Sequence, residues 1–353
     1  MSQSGPQVAD APATGTPSRT PGPTSPDPTT PGTLARVRGL IGGGGPAVAL
    51  VVLIAFFSIA TPNFFSVSNA SSLLSQLSIL LVISIGLTFV ILLGSLDLSV
   101  EGVMASSSLV FVLLASNDRN DLSLGFIALI AGVLTGSLFG LLNGVLHVYL
   151  RVPSFMVTLG TGAIGVGLAT VLFGGRAPRL MDDGLRGLGF GNFGIFPKLA
   201  LIAILVLIVA LLVQKFTRVG RYGYAIGGDE PVVRLSGVNV ERYKVLSFVL
   251  AGTGSGIAGV MAAMQLGVGD VSIGAGFQFT AITAVVLGGT ALVGGIGGVG
   301  KTLVGAAIIT VLANGLILLG VNPYVQISVQ GLVIVVAVVA TGWSLRKRVR
   351  AIK

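Results

Sequence analysis

The one stretch of this sequence with the spacing of a known reactive motif is Gly295-Ile296-Gly297-Gly298-Val299-Gly300-Lys301-Thr302. It fits G-x-x-x-x-G-K-T, in which backbone N–H groups cradle phosphates, a lysine reaches the terminal phosphate and a hydroxyl sits on magnesium. An apolar run precedes it, as a strand would. That chemistry also needs a soluble sheet and a separate aspartate for the metal, whereas apolar runs flank this motif on both sides. A Gly-rich turn between two membrane spans is therefore expected, and no nucleotide is expected on this chain.

Other reactive groups are few. There is no cysteine, which removes thiolate nucleophiles, disulfides and cysteine-bound metal, and the single histidine, His147, cannot form a metal cluster by itself. Asp97, Ser99 and Glu101 are the acidic and hydroxyl groups placed between two apolar runs. A carboxylate at the bilayer centre costs about 2.5–3.5 kcal/mol on insertion scales. These side chains are thus expected near a membrane rim or paired inside the bundle. They serve there either as a gate or pathway lining, or as caps of a helix start. Asn143, His147, Gln278 and Asn314 are the uncharged hydrogen-bonding groups to inspect along a pathway, and each also suits interhelical bonding.

The elements that must carry these residues are membrane spans. Only 9% of the 353 residues are charged and the mean hydropathy is +0.96, against roughly 25% charge in soluble domains. Apolar runs long enough to cross a bilayer occur at about 46–61, 73–93, 98–116, 122–148, 154–174, 198–214, 245–267, 279–293, 299–320 and 324–342. The expected fold is an all-α polytopic membrane protein of about ten transmembrane helices. Residues 1–40 form a Pro/Ser/Thr-rich tail expected to be disordered. A membrane domain covers 41–345, and 346–353 is a basic tail.

Lysine and arginine set the orientation. With a cytoplasmic N-terminus, sixteen of the 21 basic residues fall inside, leaving Arg119, Arg176, Arg179, Arg186 and Lys198 outside. Both termini are then cytoplasmic, and the net charge of +9 reports topology rather than a nucleic-acid partner. Asn143-Gly144-Val145-Leu146 and Asn314-Gly315-Leu316-Ile317, each followed by a proline, echo one another five spans apart. Such a spacing is that of an inverted repeat. Gly132, Gly136, Gly140 and Gly144 form a smooth stripe on one helix, and Gly252 and Gly256 repeat it on another, as packing faces do.

The loop 215–244 is the long polar segment between spans. Asp229 is a candidate N-cap, Glu230 and Pro231 open a helix, and Gly237 ends it after about two turns. A short helix displayed on a cytoplasmic loop suits docking into a groove of a soluble partner.

Several stretches resemble the ribose/galactose/xylose-type permeases of ABC importers. They are Gly86-Leu87-Thr88 through Asp97-Leu98-Ser99-Val100, Asn143-Gly144 with Pro153 through Gly160, Gly220 through Val240, and Ala284 through Thr290 with Asn314-Gly315. The similarity runs in order over roughly 46–342. It implies an importer in which two permease copies, identical or paralogous, pair with cytosolic ATPases and an extracytoplasmic solute-binding protein. ATP and magnesium are then held by the ATPase, and the permease binds no cofactor or metal and is no enzyme. The resemblance identifies Gly228, Asp229, Glu230, Arg234, Leu235, Ser236 and Gly237 as the element coupling ATPase closure to the membrane domain. The family pattern has Gly where Glu101 and Lys301 stand, acids where Gln278 and Thr280 stand and a base near Gln265, so the solute is where this chain is expected to differ. The rival reading is a secondary transporter driven by an ion gradient, which needs titratable groups near the midplane.

Overall fold

The structure is a computed structural model that describes Met1, Ser2, Gly5 and residues 33–336 other than Pro323, Gln330 and Ile334, with side chains of the first helix described from Gly45 on. In chain order the described helices are α1 (Thr33–Ala60), α2 (Val67–Leu92), α3 (Val100–Leu114), α4 (Phe126–Tyr149), α5 (Ser154–Phe173), α6 (Asp183–Phe190), α7 (Lys198–Phe216), α8 (Arg218–Leu235), α9 (Val240–Leu266), α10 (Phe277–Leu287) and α11 (Val299–Leu318). Among the described residues the departure from an all-helical fold is a hairpin of β1 (Asn192–Phe193) and β2 (Phe196–Pro197) beside α6. The chain begins α1 at Thr33, inside the stretch 1–40; residues 6–32 of that tail and the basic tail 346–353 lie outside the described residues.

Six helices, α2, α4, α5, α7, α9 and α11, are long and apolar enough to cross a membrane, and Gly45–Ala60, α3 and α10 are shorter apolar helices. The span expected at 324–342 is described only as far as Val336. Lipid offers backbone groups no hydrogen bonds, so helices satisfy them internally. Side chains facing outward on α4, α5 and α7 are accordingly large and apolar, as Leu134, Leu138, Ile164, Leu205 and Val209 illustrate.

α2, α9 and α3 form the centre. α2 packs against α9, α11, α7 and α10, while α9 packs against α4, α2 and α3. The core cluster runs from Ile79 to Ile91 on α2, through Met104 and Phe111 on α3, to Met261 and Met264 on α9. The glycine stripes explain the closest of these seams. A Cβ on Gly136 would run into the backbone of Gly252 and Gly256, and one on Gly252 into the backbone of Gly136 and Gly140. Gly140 and Gly144 face Phe248 and Val245, and Gly132 faces Val260. The stripes therefore meet within one chain, α4 against α9, with Ser137 and Thr253 hydroxyls 2.8 Å apart across the seam.

Two apolar runs are not simple spans. α10 has 11 residues, so it is about 16 Å long, half of a hydrocarbon core of about 30 Å. The short, glycine-broken span expected at 279–293 is thus a half-length helix followed by a glycine turn. The remaining distance is covered by the non-helical stretch 267–276, whose Gly269 and Gly274 lie against α3 at Leu109 and Glu101. Residues 93–99 behave alike after α2, returning beside α5 before α3 begins. Leu96 N donates to Ser154 Oγ and Leu98 N to Thr158 Oγ1, both at 3.0 Å. Non-helical backbone at this depth is tolerated because protein donors and acceptors surround it.

Candidate functional site

Two sets of polar residues stand out against the apolar bundle: one at the end carrying α8, the other buried beside α3. The first is built on α8, which is two helices joined at Asp229 (φ −157°, ψ 90°). Asp229 Oδ1 accepts from Val232 N at 3.2 Å, the N-cap expected from the sequence. The second segment is short and ends at Ser236 and Gly237, whose φ of +79° favours glycine. Ser236 Oγ donates to Val233 O at 2.7 Å and closes that end.

Charge clips this segment to the start of α9. Lys244 Nζ lies 2.7 Å from Glu230 Oε2 and Arg234 Nη2 lies 3.1 Å from Glu230 Oε1. Arg234 also pairs with Glu241. Burial alone pushes the Glu230 carboxyl up, but the hydrogen bonds and charges of Lys244 and Arg234 outweigh it and hold it below the usual range. Glu241 is held low by a backbone N–H and by Arg234, whose own guanidinium is raised by Glu241 and Glu230. Beneath the clip, Val233 joins Ile226, Leu93 and Val240 in a small apolar cluster. Above it, Val232 and Leu235 remain 60% and 88% exposed. The tip thus presents two bare aliphatic side chains beside its charged groups. Leu235 is among the residues identified from the sequence; Val232 was not, since its neighbour Val233 carries the same residue type and only the fold separates them. Between the clip and the α4–α5 turn lies a cavity of about 410 Å³ lined by His147, Arg151, Glu230, Arg234, Glu241 and Lys244.

The first segment of α8, unforeseen because of its glycines, is pressed onto the Gly-rich turn 294–298. Gly295 N donates to Leu92 O at 2.9 Å, and a Cβ on Gly227 would strike that same carbonyl. A Cβ on Gly295 would in turn press on the backbone of Gly228. Tyr224 Oη donates to Gly297 O at 2.9 Å and accepts from Gln214 Nε2 at 2.8 Å, while Gln214 Oε1 accepts from Val299 N at 3.1 Å. Gly298 N donates to Thr290 Oγ1 at 3.2 Å. The N–H groups of Gly295, Gly298 and Val299 thus already bond to protein oxygens, and Lys301 is exposed.

The second set gathers Asp97, Ser99 and Asn143. Asp97 is buried, and its Oδ1 accepts from Ser99 N at 2.9 Å and Ser99 Oγ at 2.6 Å. Asn143 Nδ2 donates to Ser99 Oγ at 2.8 Å, and Thr161 Oγ1 donates to Asn143 Oδ1. Among the described residues no cation pairs with Asp97. Glu101 stands apart from this group, half-buried in the first turn of α3. The adjoining Gly102 backs onto Gly162 and Val166, about 12 Å along α5 from Ser154. Glu101 thus follows the return 93–99, which climbs beside α5 before α3 starts. Asn314 lies elsewhere, in a reciprocal amide pair with Asn69 at 3.1 and 2.8 Å. Gln278 occupies the first turn of α10, and His147 Nδ1 is 2.7 Å from Val152 O. The fold thus unites three of the seven expected pathway residues and separates the others.

Comparison with known proteins matches this arrangement to transport subunits. Residues 69–338 fit the family described as branched-chain amino acid transport system / permease component. The ribose import permease protein RbsC of Haemophilus influenzae is 38% identical over 84% of this chain and 92% of its own length. That of Bacillus subtilis is 37% identical over 83% and 91%. The L-arabinose ABC transporter permease protein AraH of Azospirillum brasilense is 32% identical over 94% and 97%. No solved structure matches the chain. With relatives aligned along nearly their whole length and α8 presenting a clipped, exposed tip, the chain belongs to the family of multi-pass permease subunits of ABC importers, which are transport components and not enzymes.

Proposed function

We propose that this permease carries a neutral monosaccharide into the cell, driven by a cytosolic ATPase that grips the α8 tip. The relatives named for ribose and arabinose support the sugar class. One observation carries the coupling role: the segment Glu230–Leu235 is anchored to α9 by ion pairs and to the Gly-rich turn through the rest of α8, while Val232 and Leu235 stay bare. A push on that tip reaches α9 and α11 at once.

In this reading the α8 end is cytoplasmic, as the distribution of lysine and arginine favours, and both termini lie on that side. Ten spans complete the subunit, which works beside a second permease copy and receives its solute from an extracytoplasmic binding protein. ATP and magnesium belong to the ATPase. An inverted repeat is supported by the packing: α2 touches α11 and α10, α9 touches α4 and α3, and α2 and α9 touch each other. Both α3 and α10 follow a non-helical return, again in corresponding places.

The test is uptake of labelled D-ribose or L-arabinose by vesicles holding the importer assembled with its co-purified ATPase and binding protein. Glu230→Ala with Arg234→Ala should leave the permease inserted and the ATPase active but abolish uptake. Normal ATP-dependent uptake by the double variant would refute the coupling role.

A further inference from the structure

In the half of the bundle nearer α8, a trough of about 260 Å³ lies between α2, α7 and α9. Its walls include Val82 and Phe89 of α2, Val209 and Val213 of α7, and Leu250 and Ile257 of α9. Leu205 and Val209 form a lip that is more than half exposed. Thr253 is the one polar side chain in the lining. Its hydroxyl donates to Val249 O at 2.7 Å and lies 2.8 Å from Ser137 Oγ, so it is already satisfied. A trough of this kind accepts hydrocarbon and gives a polar solute no partner.

Each wall leads toward a basic pocket. On α7, Val213 O accepts from Thr217 N at 3.2 Å and Thr217 O accepts from Arg221 N at 3.3 Å, so the chain passes from trough to Arg221 in two turns. Leu93 lies one turn past Phe89, and Tyr243 two turns before Leu250. Tyr243 and Tyr222 pack against the cluster that holds Leu93, their rings 4.7 Å apart. There Arg218, Arg221 and Tyr222 line a cavity of about 290 Å³ with no acidic side chain in its lining. The ion pairs among the described residues use Arg176, Arg234 and Lys244. Lys215, Arg218 and Arg221 are thus neighbouring cations with no carboxylate partner. Lys215 Nζ lies 5.3 Å from the centre of the exposed Phe216 ring at the end of α7. A basic and an aromatic side chain closing an apolar helix mark the boundary between hydrocarbon and headgroups. Arg218 and Arg221 follow at headgroup depth, and the Val232–Leu235 tip lies further along α8.

We infer that the trough and the basic pocket together seat one anionic phospholipid, its acyl chain between α2, α7 and α9 and its phosphate on Arg218 and Arg221. The trough follows α7 from Leu205 to Val213, about 12 Å, and leads to the guanidinium groups, whose planar forks match phosphate oxygens. Basic pockets between helices on the cytoplasmic side hold such headgroups. Two cations without an acid select a headgroup of net negative charge over a zwitterionic one. The inference uses the orientation given above and does not depend on which solute is carried.

The chain has a single tryptophan, Trp343, so Val213→Trp on a Trp343→Phe background reports from the lower end of the trough. The full-length permease is placed in phosphatidylcholine nanodiscs containing either phosphatidylglycerol or phosphatidylcholine with brominated chains. Brominated phosphatidylglycerol should quench the reporter at a several-fold lower mole fraction. Arg221→Gln should cut that preference about fivefold, the effect of one arginine near anionic lipid. Arg242→Gln, exposed and outside both cavities, should leave it unchanged. Equal quenching by the two lipids overturns the site. No quenching by either also overturns it, since a protein surface such as a second copy then covers the trough. As a second measure, native mass spectrometry of the wild-type permease should show phosphatidylglycerol retained over phosphatidylcholine after detergent exchange. Arg218→Gln with Arg221→Gln should abolish that difference, and its persistence would overturn the site. Sugar uptake enters neither measurement, so failure here leaves the transport reading untouched.

Discussion

Tyr224 on α8 donates its hydroxyl proton to the carbonyl of Gly297, 2.9 Å away and 73 residues on in the chain. The same hydroxyl accepts from Gln214, which also holds Val299 at the start of α11. One phenol thus ties α8, the end of α7 and the beginning of α11 to a single point.

Tyr224→Phe removes that tie and little else. A hydrogen bond of this kind contributes about 1 kcal/mol, too little to unfold the subunit. Membrane levels should match wild type, whereas sugar moved per ATP hydrolysed should fall several-fold. Measuring uptake and phosphate release in the same vesicles separates the two, and an unchanged ratio removes Tyr224 from the coupling route.

The Glu230 clip predicts a pH dependence of defined sign. Its carboxyl is held below the ordinary glutamate value of 4.5. A lowered value means the native state favours the charged form, so the stabilisation is present above the unfolded-state value and lost as pH falls through the folded one. Thermal unfolding of the purified subunit should therefore show a gap between wild type and Glu230→Gln at neutral pH. That gap should hold down to about pH 5 and close at lower pH. A gap that widens on acidification contradicts the clip.

The α4–α9 seam predicts a contrast between glycines. Gly136→Leu places a side chain where the backbone of Gly252 and Gly256 already sits, and overpacking of this kind costs about 1–3 kcal/mol or more. Gly160→Leu on α5 meets nothing within 4 Å among the described residues. Detergent-extracted Gly136→Leu should aggregate or melt markedly earlier, and Gly160→Leu should not. Size-exclusion profiles before and after heating read the difference.

Asn143→Ala should destabilise through the partners it leaves behind. Thr161 and Ser99 would lose a buried acceptor and a buried donor, a loss of about 1–3 kcal/mol. Asn143→Asp keeps the acceptor but turns the donor to Ser99 into an oxygen and buries a second carboxyl beside Asp97, so at neutral pH it should destabilise at least as much as alanine. Equal melting temperatures for all three chains would show that the network does not hold α3, α4 and α5 together.

Much of this was legible in the sequence, for physical reasons. Long apolar runs gave the positions of α2, α4, α5, α7, α9 and α11, because hydropathy over a bilayer thickness is a local property. The cap at Asp229 and the stop at Gly237 were legible because caps are read within four residues. The glycine stripes announced packing faces but not their partner, since Gly136 and Gly252 are far apart in the chain. Hydropathy also cannot show where an apolar segment ceases to be helical, so the end of α10 at Leu287, inside the apolar run 279–293, was not legible. Asn69, Gln214 and Tyr224 carry no motif; each matters only through a residue brought near by folding, as Asn69 meets Asn314 245 positions away.

The α4–α9 seam has one more consequence. Where the backbones touch at Gly136, Gly140, Gly252 and Gly256 there is no space for side chains to repack, so the pair is expected to travel as one plank. Whatever displacement admits and releases a solute has to be absorbed at joints, and the non-helical returns at 93–99 and 267–276 are the flexure points this architecture supplies.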